Sequence, residues 1–205
     1  MAENNNNNEQ LLQEFNKKYD FEIPNTNIIE LNLSESDLGN EALVDLVEIE
    51  FKELKKLTIS YNTISVIKPL EKAKFEKLET LDLSSNDISD ISVFEKVNFK
   101  QLKNLYLFDE FISNIDVLAK FSCENIEVID FSSNKISDIN ILEKVHLKEL
   151  KELDLSLNSI TDISVLEKMN LEKLEKLCLN SNRIDLAKNG EIITKLKSKI
   201  KELKV

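Results

Sequence analysis

The sequence has few of the residues that form linkers between domains. Its 205 residues include only 2 glycines and 2 prolines. Because such linkers are typically rich in glycine, proline and small polar residues, we expect one elongated domain. An apolar content of 41% is ordinary for a globular protein that buries a continuous core.

Signals for secretion, membrane insertion and disulfide formation are also lacking. The opening segment MAENNNNNEQ has neither a basic region nor an apolar run, and no later segment is long enough to span a bilayer. Cys123 occupies a repeat position that is otherwise apolar, whereas Cys178 is predicted on the opposite, solvent-exposed strand face. The two cysteines should therefore not meet, which favours a reducing compartment, the cytoplasm.

Sequence signs of catalysis are missing as well. The one histidine, His146, falls at an exposed and variable repeat position, without a partner placed to orient it. There is no glycine-rich phosphate loop, no Cys/His metal spacing and no nucleophile elbow. We therefore expect a protein that is not an enzyme, with no cofactor and no metal site.

What the sequence does contain is a repeat. From Leu54 to Asn182 the chain repeats every 24 residues without insertion or deletion, and a 26-residue unit beginning at Ile28 precedes this array. The spacing of Leu78, Leu81 and Leu83 recurs in all seven units, and most units have an asparagine three residues later. Such a period predicts a solenoid, in which one small unit is stacked several times.

Each unit predicts a strand on the inside and a short helix on the outside. Alternation in LETLDLSSN is typical of a strand with one buried face, and Ile88 and Ile91 follow at offsets that point into the core. The phrase from Ser92 to Glu95 predicts a capping box that begins a helical turn. The recurrent asparagine is expected to bond the backbone of the neighbouring coil through its amide.

This spacing, LxxLxLxxN, resembles the leucine-rich repeat over about residues 28 to 185. Phrases such as ISDIS at residues 88–92 look most like the short units of bacterial internalins and of the regulatory subunits of type-1 protein phosphatase. The first unit, with LGNEAL at residues 38–43, looks more like those of ribonuclease-inhibitor-type proteins. The resemblance implies an α/β solenoid, a right-handed arc with a parallel sheet on its concave side and short helices on its convex side.

The predicted organisation has four parts. Residues 1–8 are an Asn-rich tail expected to be disordered, residues 9–27 an N-terminal cap, residues 28–185 the seven repeats with seven strands, and residues 186–205 a C-terminal capping helix. In one row of the repeats the charge alternates from coil to coil, as Lys55, Glu79 and Lys103 illustrate. We interpret this row as ion pairs that favour correct stacking of the coils.

One unit departs from the others on the predicted concave face. Exposed strand positions elsewhere carry mostly small or acidic residues, whereas the unit LKNLYLFDEFISN beginning at Leu102 has aromatic residues and replaces the asparagine with Glu110. Glutamate has no hydrogen-bond donor, so this change should weaken one rung of the asparagine ladder. The alternative is drift in one repeat, with Phe111 folded inward. We favour a partner-binding site at Tyr61, Asp82, Tyr106, Phe108, Asp109, Phe111, Asp130, Glu152, Asp154 and Leu157.

These residues predict a protein or peptide partner with a basic and apolar surface. Asp130 and Asp154 should be direct neighbours, so either a basic partner or a cation offsets their repulsion, or water screens it. The net charge of −11 disfavours nucleic acid, no membrane is expected, and we expect a monomer. Two alternatives to a binding module remain open: a regulatory subunit of an enzyme such as a phosphatase, and a structural component of a larger assembly.

Overall fold

The fold is a single stack of coils that share one parallel sheet. A computed structural model of the protein describes residues 2–121, 124–145, 147–169 and 172–205. The eight strands pair in chain order, and consecutive strands are in register. They are β1 Glu30–Asn32, β2 Lys56–Thr58, β3 Thr80–Asp82, β4 Asn104–Tyr106, β5 Val128–Asp130, β6 Glu152–Asp154, β7 Lys176–Cys178 and β8 Glu202–Lys204.

The core follows directly from the repeat. The middle residue of each strand from β2 to β7 points inward, and these residues form one row of partners: Leu57, Leu81, Leu105, Ile129, Leu153 and Leu177. Each of these side chains is at most 1% exposed. The sheet therefore has one buried and one open face, as the sequence predicts.

Short 3₁₀ helices form the outer side of the coils. They span Lys68–Lys72, Ser92–Glu95, Asp116–Ala119, Asn140–Lys144 and Ser164–Glu167. The predicted capping box is wrong, because Ser92 lies inside its helix and no side chain caps the helix start. Instead, Asp90 Oδ1 accepts the Ser92 backbone N–H at 2.8 Å, two residues along the chain.

The predicted asparagine ladder is confirmed. Asn86 is buried, its Oδ1 accepts the Ile64 N–H of the preceding coil at 3.0 Å, and its Nδ2 donates to the Ile59 carbonyl oxygen at 3.0 Å. Asn134 makes the same pair of contacts to Ile112 and Leu107. Each amide thus supplies a donor and an acceptor to backbone groups that the turn would otherwise leave without partners.

The alternating charges do pair between coils. Glu79 contacts Lys55 on one side at 3.1 Å and Lys103 on the other at 2.7 Å. A second series, which the sequence analysis missed, lies on the outer helices, where a lysine contacts a glutamate of the preceding coil, as in Lys96 with Glu71 at 3.2 Å. These pairs are exposed, so salt screens them and their main effect is on register.

The N-terminal cap differs from expectation. Where a disordered tail over residues 1–8 is predicted, the structure has helix α1 over Ala2–Tyr19. Asn8 fixes this helix to the first coil, because its Nδ2 donates to the Glu50 carbonyl oxygen at 2.9 Å and its Oδ1 accepts the Glu50 N–H at 2.7 Å. Buried Leu12 and Phe15 pack on the core beside helix α2, Asn40–Glu48.

The C-terminal cap is a helix followed by a strand, not a helix alone. Helix α3 spans Gly190–Lys199, and β8 then adds an eighth strand to the sheet, with Leu203 beside Leu177. This strand also lies beside Cys178, which is 2% exposed, so the expectation of an exposed Cys178 is wrong. Burial raises the pKa of its thiol to about 11, and the Asp154 carboxylate adds to the rise.

Two positions discussed from the sequence, Cys123 and His146, lie outside the described residues. Among the helices of the part of the chain that the structure describes, none is long and apolar enough to cross a membrane.

The assignment of inside and outside can be tested with two leucines. Leu105 is 1% exposed between coils, so Leu105→Ala should lower the free energy of unfolding by about 2–5 kcal/mol. Leu157 is 54% exposed, so Leu157→Ala should change that free energy by less than about 0.5 kcal/mol. Urea titration followed by circular dichroism measures both values. Equal losses would show that the two faces are assigned wrongly.

Candidate protein-binding site

The sheet register brings Tyr106 between two aspartates. Asp82 of β3 and Asp130 of β5 are its direct neighbours at the last position of the strand, and Asp154 of β6 follows Asp130. Burial raises the pKa of the Tyr106 hydroxyl, and the carboxylates of Glu152, Asp82 and Asp130 add to the rise. The register of the sheet therefore places these residues side by side on the open face.

The aspartates also have a structural role that the sequence analysis missed. Asp130 Oδ1 accepts the Ser132 N–H at 2.8 Å and its hydroxyl at 2.6 Å, and Asp154 makes the same two bonds to Ser156. These bonds hold the chain where it leaves the strand. Burial nevertheless raises the pKa of Asp130, against the Ser132 bonds and with a contribution from Asp154. The side-by-side carboxylates are thus tolerated because each has local donors.

Two aromatic rings meet across an intervening coil. Tyr61 and Phe108 are two coils apart, yet their ring centroids lie 6.4 Å apart with an interplanar angle of 72°. In the coil between them, Ser84 is completely buried and its Oγ accepts the Phe108 N–H at 3.3 Å. The small residues predicted at exposed strand positions include Ser60, Ser84 and Ser156, and this prediction is wrong for all three, since they are buried.

Phe111 lies on the rim of the sheet and not in the core. Its side chain is 46% exposed, and the Lys135 ammonium of the next coil sits 4.3 Å from its ring centroid. The alternative in which Phe111 folds inward is therefore wrong. A cation over an aromatic face leaves the other face open to a partner.

Three predicted site residues, Tyr61, Asp109 and Leu157, occupy a left-handed position. The residue that precedes the ladder asparagine, or Glu110 in its place, has a positive φ. This angle is 55° at Tyr61, 57° at Asp109 and 56° at Leu157. Serine stands there in other coils, at Ser85, Ser133 and Ser181. A bulky residue in this region is an outlier that costs about 1–2 kcal/mol. Tyr61 and Leu157 are each 54% exposed, so little core packing offsets that cost.

Glu152 forms an ion pair within the sheet. Its carboxylate pairs with Lys176 of β7, the neighbouring strand. This residue is therefore less available to a partner than Asp82 or Asp109, which form no ion pair within the described chain. The site then consists of an aromatic group in the coil beginning at Leu102, flanked by aspartates and by Tyr61 and Leu157.

Glu110 replaces the ladder asparagine of this coil and is buried, with 4% exposure. Its two carboxylate oxygens accept the Asn86 N–H at 2.8 Å and the Ile88 N–H at 2.6 Å of the preceding coil. The acceptor role of the amide is thus kept, whereas an ionised carboxylate has no hydrogen to donate. Burial raises the pKa of Glu110 to about 8, against these two bonds and with contributions from Asp109 and Asp87.

The residues on the open face of the sheet are suited to binding another protein. Within the described ranges, no group of three or more His, Cys, Asp or Glu side chains could hold a metal ion. Apolar rings and carboxylates, with the partly exposed Ser85 and Ser133, supply contact area, charge and hydrogen bonds for a bound protein.

Comparison with known proteins is consistent with this geometry. The family model "Leucine Rich repeats (2 copies)" matches residues 52–96, 76–120 and 124–168, which together make up more than half of the chain. No curated protein sequence matches the chain.

Solved structures with the same fold come from bacteria and plants. An internalin, InlF of Listeria monocytogenes, has a TM-score of 0.62 at 24% identity over 87% of this chain. A repeat protein of Leptospira interrogans has a TM-score of 0.64 at 27% identity over 78% of the chain. The matches span 61% and 39% of those two proteins. The plant peptide hormone receptor RGFR1, solved in complex with RGF2, has a TM-score of 0.54 at 20% identity over 78% of this chain and 29% of the receptor.

The buried carboxyl predicts a pH-dependent stability. Because the pKa of Glu110 is higher in the folded state than its ordinary value of 4.5, the folded state binds this proton more tightly. Its contribution to the free energy of unfolding is therefore full below pH 4.5 and falls as the pH rises to about 8. Glu110→Asn introduces the asparagine that most other coils have at this position. The free energy of unfolding of this variant, relative to wild type, should increase as the pH rises from 5 to 8.5.

Urea titrations of both proteins at several pH values measure this difference, and Glu110→Gln serves as the control that keeps the side-chain length. A difference between variant and wild type that stays constant with pH would show that Glu110 does not titrate in this way.

Proposed function

Because the chain belongs to the leucine-rich repeat family, we propose that it is a non-catalytic module that binds one protein or peptide on its concave face. The observation that carries this proposal is the group of partly exposed aromatic residues in one coil. Tyr106 and Phe108 stand where the neighbouring coils have Asp82, Ser84, Asp130 and Ser132. A repeat array needs no aromatic there for its own stacking.

The aromatic group is suited to anchor a partner. Rings with few rotatable bonds supply large contact area at a low entropic cost, and such residues dominate the energy of protein interfaces. The contact between Tyr61 and Phe108 holds both rings in place before a partner arrives. A partner therefore meets a preformed apolar surface.

Charge favours a basic partner. The protein has a net charge of −11, and Asp82, Asp109, Asp130 and Asp154 surround the aromatic group. Carboxylates at the edge of a site raise the association rate of a cationic partner and repel phosphates. A segment with lysine or arginine beside apolar residues fits both features, whereas nucleic acid does not.

Structural neighbours support a peptide or protein as the ligand class. The plant peptide hormone receptor RGFR1, solved in complex with RGF2, shares this fold, and so does PEPR1 in the crystal structure of PEPR1-AtPEP1. At 20% identity they support only the capacity of the fold to bind such ligands. We further propose that the protein acts as a cytoplasmic monomer, in line with its two cysteines.

The partner can be isolated by affinity purification with the full chain as bait. The double variant Tyr106→Ala, Phe108→Ala should lose the specific partner, because it removes both central rings. Val66→Ala is the matched control, since Val66 is 50% exposed and lies in the segment before the outer helix Lys68–Lys72. A partner retained by the folded double variant would place the interface on the caps or the outer face.

Binding rates should separate the rings from the carboxylates. With the purified partner in surface plasmon resonance, Tyr106→Ala should weaken binding by about 1–3 kcal/mol, mainly through faster dissociation. Asp130→Lys together with Asp154→Lys should mainly slow association, and added salt should shrink this effect. Unchanged association of the charge-reversal variant at low salt would exclude electrostatic steering by these residues.

A further inference from the structure

The sheet has an open edge at strand β8. Within the described ranges the strand order ends there, so no strand lies on the side of β8 that faces away from β7. The Glu202 N–H donates to the Glu175 carbonyl oxygen at 2.9 Å, toward β7. The Lys204 carbonyl oxygen accepts the Leu179 N–H at 2.7 Å, also toward β7. Because successive residues of a strand direct their backbone groups to opposite sides, the N–H and carbonyl oxygen of Leu203 face outward, toward another strand.

The inward row of apolar residues is closed at β1 and open at β8. Leu31 of β1 is buried, with 6% exposure, in the same core as Leu12 and Phe15 of α1. Leu203 of β8 packs against that core but is only partly buried. An apolar residue on a ninth strand would cover it and remove apolar surface from water. At β8 an added strand therefore gains both backbone hydrogen bonds and apolar contact.

The charge around this edge is positive. Residues 186–205 contain six lysines and two glutamates, a net charge of +4 in a protein whose net charge is −11. Lys197 and Lys199 are exposed and form no ion pair within the part of the chain that the structure describes. Lys201 directly precedes β8, and Lys204 is its last residue. Charge complementarity therefore favours an acidic segment at this edge.

The array itself shows which residue suits the place beside Lys201. This lysine continues the row of alternating charges, since it pairs with Glu175 of the preceding coil at 2.8 Å. In the same row Lys55 is followed in the next coil by Glu79, at 3.1 Å. A glutamate or aspartate is thus the residue that continues the row after Lys201.

The same reasoning gives the other positions of an added strand. An apolar residue suits the place beside Leu203, because leucines are partners along the sheet, as Leu177 and Leu203 are. An acidic residue suits the place beside Lys204. The chain's own strand sequence ETLD at residues 79–82 has an acidic, an apolar and an acidic residue at these three places.

We propose that the open edge of β8 binds an extended acidic segment of a second partner, which joins the sheet as a ninth, parallel strand. The segment has an acidic residue beside Lys201, an apolar residue beside Leu203 and an acidic residue beside Lys204. This interface lies at the end of the stack, apart from the concave site, and is independent of the proposed function.

Two other occupants fit this edge less well. A second copy that stacked its β1 on β8 in the register of the sheet would place Glu30 beside Glu202, and like charges side by side destabilise a sheet. An anionic membrane needs an exposed apolar helix face, but Ile193 and Leu196 of α3 are buried in the core. An extended segment meets neither obstacle.

Amide NMR spectra of the 205-residue chain, titrated with synthetic peptides, test the inference. The probe peptide is EKLETLDLSS, the sequence of residues 76–85. One control peptide has lysine at both acidic positions of ETLD, 79 and 82. The other control has Thr80→Pro, which removes an N–H that would face β8. In the intact chain this N–H donates to the preceding coil, at the Lys55 carbonyl oxygen.

The probe should shift the amide signals of Leu203 and Val205 most and slow hydrogen exchange of the Leu203 N–H. It should bind about tenfold more tightly than the lysine peptide, because two ion pairs become repulsive contacts. The proline peptide should bind more weakly than the probe as well, since it lacks one backbone bond.

Variants of the protein locate the binding edge. Leu203→Pro should abolish binding of the probe, because it removes the outward N–H and keeps the bonds of Glu202 and Lys204 to β7. Leu203→Val is the matched control, which keeps the N–H and an apolar side chain. Lys204→Glu should weaken binding of the probe and strengthen binding of the lysine peptide. If Leu203→Pro does not fold by circular dichroism, this exchange of preference decides the question.

Several results would overturn the inference. These are equal binding of all three peptides, signal shifts centred on Tyr106 and Phe108, and binding that survives Leu203→Pro in a folded protein. Broadening of the α3 signals by vesicles of phosphatidylcholine and phosphatidylserine, without any effect of the probe, would assign this end to a membrane. A dimer in light scattering that Lys204→Glu dissociates would assign it to a second copy.

The two proposals fail separately. The double variant Tyr106→Ala, Phe108→Ala should bind the probe as wild type does, whereas Leu203→Pro should leave binding of the concave partner unchanged. Loss of probe binding in the folded double variant would place the peptide on the concave face and overturn the inference.

Discussion

The structure depends on one constraint: every backbone group that a coil buries must find its partner in the adjacent coil. Strands of three residues supply too few bonds by themselves, and the chain turns immediately afterwards. The side-chain amide of Asn86 supplies the missing hydrogen bonds, because it accepts the Ile64 N–H and donates to the Ile59 carbonyl oxygen of the preceding coil. Because each coil contacts only its neighbours, the same solution must recur at every step. The uniform unit length follows from this need.

This constraint also explains why one coil could change without loss of the fold. Glu110 keeps the acceptor half of the amide's role by bonding Asn86 and Ile88. The coil retains its buried leucines, so only its exposed positions and one polar rung differ. Sequence variation in a solenoid is thereby confined to the open face and to the rim, which is where Tyr106, Phe108 and Phe111 occur.

The repeat could be predicted from the sequence because its signal is summed over seven units. The strand register, the buried face and the pairing of Lys55 with Glu79 all follow from the period alone. The features that the sequence did not indicate occur once or depend on a neighbour. Strand β8 forms because α3 ends early enough for Leu203 to pair beside Leu177, and the helix-like pattern of the cap hides this.

The sequence identified the residues of the candidate site but not their arrangement in space. The departure of the coil at Leu102 identified Tyr106 and Phe108, yet a one-dimensional pattern contains no information on rings that lean across a coil, as Tyr61 does. The left-handed row was also missed, although serine recurs in it at Ser85, Ser133 and Ser181. That recurrence is the signal that could have revealed it, since a small polar residue tolerates positive φ better than a bulky one.

The alternation of Lys55, Glu79 and Lys103 has a consequence for how such an array grows. Inserting one 24-residue unit would place two like charges side by side, whereas inserting two units would preserve every ion pair. Gene duplication of a 48-residue segment would therefore lengthen the scaffold in a single event and keep oppositely charged side chains beside each other.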